Sequence, residues 1–250
     1  MNKKELKAFL DEKAALYEHP RFIETDPIQI PHGFRHKADI EIAGFLTATI
    51  SWGNRKAILK SARNMMNLMG NTPYDFVSNY KSDALPPFVH RTFNSQDLHF
   101  MCLGLQRLYA QFQDMDAFFA QLADTTVAEK LHHFRAFLLQ SPHKKRSEKH
   151  LSDPLKGSAA KRLNMFLRWM VRDAKAGVDF GLWQSIDSSQ LSVPLDVHTA
   201  TIARKLKLLK RKQNDQKALQ ELDQQLRKMN PNDPVRYDFA LFGLGAFEKF

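Results

Sequence analysis

Between Ser192 and Lys212 the chain reads SVPLDVHTATIARKLKLLKRK, an acid followed by a run of cations. Asp196 stands where a helix N-cap belongs, with a carboxylate able to accept a backbone N–H of the first turn. Val197, Ile202, Leu206 and Leu209 follow at roughly helical spacing and predict one apolar face. Arg204, Lys205, Lys207, Lys210, Arg211 and Lys212 come with no balancing acid. Two readings suit this pattern. A capped surface helix with a basic end suits the helix dipole and needs no further role. An acid at a helix entrance beside a phosphate-binding surface would set a carboxylate next to a polyanion. Other chemistry finds no support: there is no Walker-A loop, dinucleotide glycine fingerprint, H-E-x-x-H or nucleophile elbow. The ten histidines are scattered without ligand spacing. Neither a metal nor a cofactor is expected.

The composition narrows the partner. With 250 residues, 43% hydrophobic and 11% aromatic, the chain can bury a sizeable core as one large domain or two small lobes. No apolar run approaches a bilayer span, and the opening MNKKELKAFLDEK alternates charge instead of forming a signal-peptide core. No membrane association is expected, and a cytoplasmic location is. The single cysteine, Cys102, excludes an internal disulfide, a cysteine-rich zinc site and a four-cysteine cluster. A net charge of +10 points to a polyanion, most often nucleic acid. The basic residues concentrate in His143–Arg162 and Arg204–Lys212.

The elements that must position these groups read as helices throughout, an all-α chain without a strand pattern. An amphipathic opener covers residues 1–17. Asp39 is expected to cap a helix over Ile40–Ile50, and Ser51-Trp52-Gly53-Asn54 breaks into a second helix whose Ile58, Ala62, Met65, Met66 and Met69 form one apolar face. Shorter helices follow, with Pro86-Pro87 in a turn, and residues 141–157 read as a loop. Leu163, Phe166, Leu167, Met170 and Val171 then mark a helix buried on one side, with Lys161, Asn164, Arg168 and Arg172 on the opposite, polar side. A polar helix over Asp215–Met229 precedes a last helix over Val235–Phe247, entered through Asp233 as cap and Pro234 at its first position.

Three segments carry a resemblance: Leu155-Lys-Gly-Ser-Ala-Ala-Lys161, Val193-Pro-Leu-Asp-Val-His198, and the Tyr237–Ala246 segment YDFALFGLGA. Together they resemble the helix-hairpin-helix DNA glycosylase superfamily, which includes endonuclease III-like and oxidised-guanine glycosylases, and within it a bacterial family labelled only as of unknown function. That superfamily has a hairpin of the form L-P-G-x-G-x-K whose lysine opens a helix, an aspartate segment capping the next helix, and a late helix closing the base pocket. Leu155, Gly157 and Lys161 fall in hairpin register, while Lys156 replaces the proline and Ala159 the second glycine. The resemblance spans about Asp39 to Gly245 and is specific chiefly at the aspartate segment.

It implies a two-lobed helical fold with a DNA cleft, a middle lobe of about 40–160, and a second lobe joining 1–39 to 161–250. The implied activity is excision of a damaged base, with an oxidised purine as the suggested lesion. The implied partner is duplex DNA, bound by a monomer. Asp196 would stabilise positive charge on the sugar, and Lys161 would supply an amine forming a Schiff base, with Lys156 as the alternative. Trp52, Asn54, Asp238 and Phe242 would line the pocket of a flipped base. Lys156, Gly157, Arg162, His198, Arg204 and Lys205 would hold DNA. A catalytically inactive nucleic-acid-binding protein of the same fold is the competing expectation, and a helical scaffold with a merely solubilising charge is a third.

Overall fold

The computed structural model describes residues 2–81, 87–248 and 250. It is mostly helical and divides into two units, one of Met1–Phe22 with Asp153–Phe250, the other of Ile23–Ser152. Pro86 of the turn expected at Pro86-Pro87 lies outside the described residues.

A capping box starts α1 (Lys3–Tyr17): Glu5 N–H donates to the Asn2 side chain at 3.0 Å, and Asn2 N–H donates to Glu5 at 2.8 Å. In the Ile23–Ser152 unit, α2 (Lys37–Thr49) is buried over almost its whole length. Its Asp39 sits in the first turn and does not cap it. Asp39 Oδ1 instead accepts the Tyr74 N–H at 2.8 Å, capping α4 (Pro73–Ser78) from 35 residues away. Between them, α3 (Arg55–Leu68) starts at Asn54, whose side chain accepts the Ala57 N–H at 3.2 Å. Ile58, Ala62, Met65, Met66 and Met69 are all buried. A small antiparallel hairpin, absent from the sequence expectation, pairs β1 (Val89–His90) with β2 (Phe93–Asn94). Two-residue strands carry too little alternation to be read, and the turn depends on Arg91 adopting a left-handed backbone at φ 55°. Asn94 caps α5 (Ser95–Gln111), Asp114 caps α6 (Met115–Ala120) and Thr126 caps α7 (Val127–Leu138). Within the region read as a loop, Lys145–His150 forms a 3-10 turn.

The second unit holds α1 and the elements after Asp153. A 3-10 turn at Pro154–Lys156, capped by Asp153, leads through Gly157 at φ 90° and Ala160 at φ 44° into α8 (Lys161–Val171). The expected apolar face of α8 is buried. Its opposite face is buried as well, with Asn164, Arg168 and Arg172 each under 5% exposed. The reason is ionic, since carboxylates from distant segments surround both arginines.

Asp196 caps α9 (Val197–Lys205), donor and acceptor 2.8 Å apart at Thr199 N–H. The helix is shorter than its apolar spacing implied. Lys207 turns left-handed at φ 60°, and its N–H and that of Leu208 close back on Arg204 and Ala203 at 3.0 and 2.8 Å. Leu209 therefore lies beyond the helix, and Val197 is 71% exposed and forms no part of the buried face. Asp215 caps α10 (Gln216–Met229), whose Ala218, Leu219, Leu222 and Leu226 are buried. The last segment is a 3-10 turn at Pro234–Arg236, α11 (Tyr237–Gly243) and a π-helical turn at Leu244–Glu248. Asp233 occupies the cap position without capping, because Arg172 takes its carboxylate. α11 packs on α1 closely enough that a Cβ at Gly243 would overlap the Tyr17 ring.

Candidate active site

Three helix ends of the unit containing Asp153–Phe250 carry the candidate groups. Lys161 opens α8 directly after the left-handed Ala160, which offers no side-chain cap. Lys161 is half-buried, and among the described residues its ammonium makes no hydrogen bond or ion pair. Asp196 opens α9, also half-buried. Its Oδ1 is used by the Thr199 N–H, and its Oδ2 has no protein donor among the described residues.

Asp238 lies in the first turn of α11 and is 5% exposed. Its Oδ2 accepts Arg168 Nη1 at 2.5 Å, and its Oδ1 accepts the Thr199 hydroxyl at 3.3 Å. Burial pushes its carboxyl up to about 6, Arg168 pulls it back, Asp196 raises it, and Lys161 lowers it. The charges of Lys161 and Asp196 thus both reach Asp238. Thr199 joins the two acids directly, with its N–H on Asp196 and its hydroxyl on Asp238.

Behind Asp238 runs a buried ionic network. Arg168 Nε donates to Asp179 at 3.3 Å, and Arg172 Nη1 donates to the same carboxylate at 3.1 Å. Arg172 also binds Asp233 through Nε at 2.9 Å and reaches Glu18, which in turn accepts Arg236 at 2.9 Å. Both guanidinium groups lie over the Phe239 ring, at 4.5 and 5.4 Å from its centroid. Burial acts to lower the Arg172 pKa, and the surrounding carboxylates hold it above its ordinary value. Such a network fixes α8 and α11 against each other, because any displacement strands a desolvated charge.

The segment leading to Asp196 is held from α10. Arg227 donates to the Ser189, Gln190 and Leu191 carbonyls at 3.1, 3.1 and 2.8 Å, and Asp223 accepts the Val193 N–H at 3.3 Å. Burial raises the Asp223 carboxyl to about 6.

The remaining candidates separate. Phe242 is half-buried, with its ring against exposed His198 at 6.0 Å and against Phe22 at 6.0 Å. Lys156 and Gly157 form an exposed hairpin tip, and Arg162 is half-buried with its pKa lowered by desolvation to about 10. Arg204 points into its own chain, donating to the Arg211 and Lys212 carbonyls at 2.8 and 2.9 Å and to Asn214 at 2.6 Å. Lys205 meets the Phe250 carbonyl at 2.7 Å. The run after α9 is not free of acids: Arg211 pairs with Asp215, and Glu221 accepts the Lys210 and Arg211 N–H groups. Trp52 and Asn54 belong to the Ile23–Ser152 unit. There Trp52 stacks on His150 at 5.7 Å and meets the edge of His90 at 5.1 Å, while Asn54 is occupied as a helix cap. His150 in turn lies 3.4 Å from the buried Asp97, which also binds Arg146 and Ser147.

Arg168, Arg172, Asp179, Thr199 and Asp223 were not singled out as site residues from sequence. The available signal was two arginines one helical turn apart with no acid on their own helix, and a Thr at the third position after a capping Asp. Among the described residues, no group of three His, Cys, Asp or Glu is placed to hold a metal ion, and no helix is long and apolar enough to cross a membrane.

Comparison with curated proteins finds no match, and neither does comparison with solved structures. A family model described as "Protein of unknown function (DUF2400)" matches residues 26–247, nearly the whole chain, and the protein belongs to that family.

Proposed function

We propose that this protein is a DNA glycosylase of the two-lobed helix-hairpin-helix kind, excising a damaged base from duplex DNA and cleaving the abasic strand through a lysine amine. One observation carries the reading: a carboxylate with one free oxygen at the entrance of α9 is joined through Thr199 to the buried Asp238, and an unpaired lysine opens α8 in the same unit.

The chemistry follows from those groups. The lone pair of the Lys161 amine attacks the sugar C1′ as the bond from C1′ to the base nitrogen breaks. The base leaves with the electron pair and takes up a proton. Positive charge builds on the sugar in between, and the unengaged Asp196 oxygen stabilises it. The bound amine then loses its proton, the sugar ring opens to a Schiff base, and loss of a C2′ proton expels the 3′ phosphate. Asp238, with both oxygens engaged by Arg168 and Thr199, is assigned to orienting the α9 entrance, and Phe242 to stacking on the extruded base.

The test is incubation with duplexes carrying oxidised guanine, an oxidised pyrimidine, uracil or an abasic site, in the presence of borohydride. A covalent adduct abolished by Lys161→Ala and spared by Lys156→Ala supports the assignment. Tight binding with neither adduct nor base release overturns it in favour of a non-catalytic DNA-binding protein. Lys156 and Ala159, in place of the hairpin proline and glycine, favour that second reading.

A further inference from the structure

The segment after α9 is built like a ligand-presenting strap. Residues 204–217 contain seven cations and one acid, Asp215, which Arg211 consumes. Arg204 clamps the segment from inside through the Arg211, Lys212 and Gln213 carbonyls and the Asn214 side chain, at 2.8, 2.9, 3.5 and 2.6 Å. Glu221 clamps it from α10 through the Lys210 and Arg211 N–H groups at 2.7 and 3.3 Å. Leu208 and Leu209 are buried beneath it. Lys207, Lys210 and Lys212 are left exposed, and among the described residues none has an ion pair.

Two further features argue against a merely solubilising run. Lys207 holds a left-handed backbone at φ 60°, the position that ends a helix most cheaply as glycine. A lysine there keeps a charge at a conformational cost. The strap is also tied to the hairpin: Ser158 and Asp215 form an antiparallel bridge, and the Gln216 N–H donates to the Gly157 carbonyl at 3.0 Å. Lys156, two residues before the bridge in the hairpin tip, and Lys217, two residues after it in α10, are both exposed.

We infer that Lys207, Lys210 and Lys212, presented by the Arg204 clamp and continued by Lys156 and Lys217 across the hairpin bridge, form a surface that binds the phosphate backbone of duplex DNA. The inference rests on the DNA-directed reading above and assigns the contacts to residues outside its catalytic groups. It also gives Arg204 a positioning role in place of a phosphate contact. Lysines that neutralise backbone phosphates release condensed counterions, so such a surface makes binding strongly salt-dependent.

The test measures binding of the full chain to a fluorescent duplex containing a reduced abasic analogue, across a series of potassium chloride concentrations. The triple variant K207A/K210A/K212A is expected to fold normally and to flatten the slope of log affinity against log salt by about 2.7, three lost contacts at roughly 0.9 each. Arg204→Lys is expected to leave the slope unchanged, weaken binding several-fold and speed tryptic cleavage within the strap. A triple variant with the wild-type slope overturns the inference, as does tighter binding of single-stranded RNA than of duplex DNA. A wild-type chain that binds no duplex at all fails the DNA-directed reading itself, a result distinguishable from loss of the strap alone.

Discussion

Arg168 Nη1 lies 2.5 Å from Asp238 Oδ2, with both side chains almost fully removed from solvent. The same guanidinium serves Asp179, so its loss strips the buried Asp238 of its arginine and leaves Asp179 with Arg172 alone. Arg168→Ala is expected to lower the unfolding free energy by about 3–5 kcal/mol in urea titrations. Adding Asp238→Asn should recover part of that loss, since one uncompensated charge disappears. A single variant as stable as the parent would contradict the network.

Asp196 combines a structural and a proposed chemical role, and two substitutions separate them. Asparagine caps a helix as well as aspartate does, so Asp196→Asn should melt within a few degrees of the parent, whereas Asp196→Ala should lose about 1 kcal/mol. On the glycosylase reading, Asp196→Asn slows base excision by roughly 100-fold or more while duplex binding persists. Single-turnover release of the base reads the effect.

Lys207→Gly should act in opposite directions on stability and binding. Removing a side chain from a left-handed position is expected to gain about 1 kcal/mol in thermal denaturation. Duplex affinity should fall at the same time, with the salt slope flatter by about 0.9.

Asp223 predicts a pH effect of defined sign. Burial raises its folded pKa to about 6 from an ordinary value of 3.8, so between those values the folded state binds more protons than the unfolded state. Its ionisation therefore costs stability as pH rises through that window, and the cost is complete above it. Asp223→Asn should be more stable than the parent at pH 7.5, by up to about 3 kcal/mol, with the advantage vanishing below the unfolded value. Parallel denaturation curves at several pH values check this, and a constant difference would contradict it.

The contact of α1 with α11 depends on Gly243. A Cβ there would overlap the Tyr17 ring, and Gly243→Ala should cost about 1–3 kcal/mol. Gly33→Ala, where the added carbon meets no atom within 4 Å, is the control and should be neutral.

Local pattern determined much of this protein. The spacing of Leu163, Phe166, Leu167, Met170 and Val171 marked the buried face of α8, the Met cluster marked α3, and Asp196 was readable as a cap because capping involves a residue only three positions away. The opposite face of α8 was not readable. A helical wheel assigns Arg168 and Arg172 to solvent, and their burial depends on Asp238, Asp233 and Glu18, which lie 70, 61 and 154 positions away. Asp39 and Asp233 show the same limit: each stands at or beside a helix start, yet each carboxylate goes to a partner that only tertiary packing supplies. The sequence marked Lys161, Asp196 and Asp238 as residue types suited to one site. The meeting of Asp196 and Asp238 on Thr199, with Arg168 on the buried Asp238, was decided by the fold, because it depends on distance and desolvation and neither is encoded in spacing along the chain.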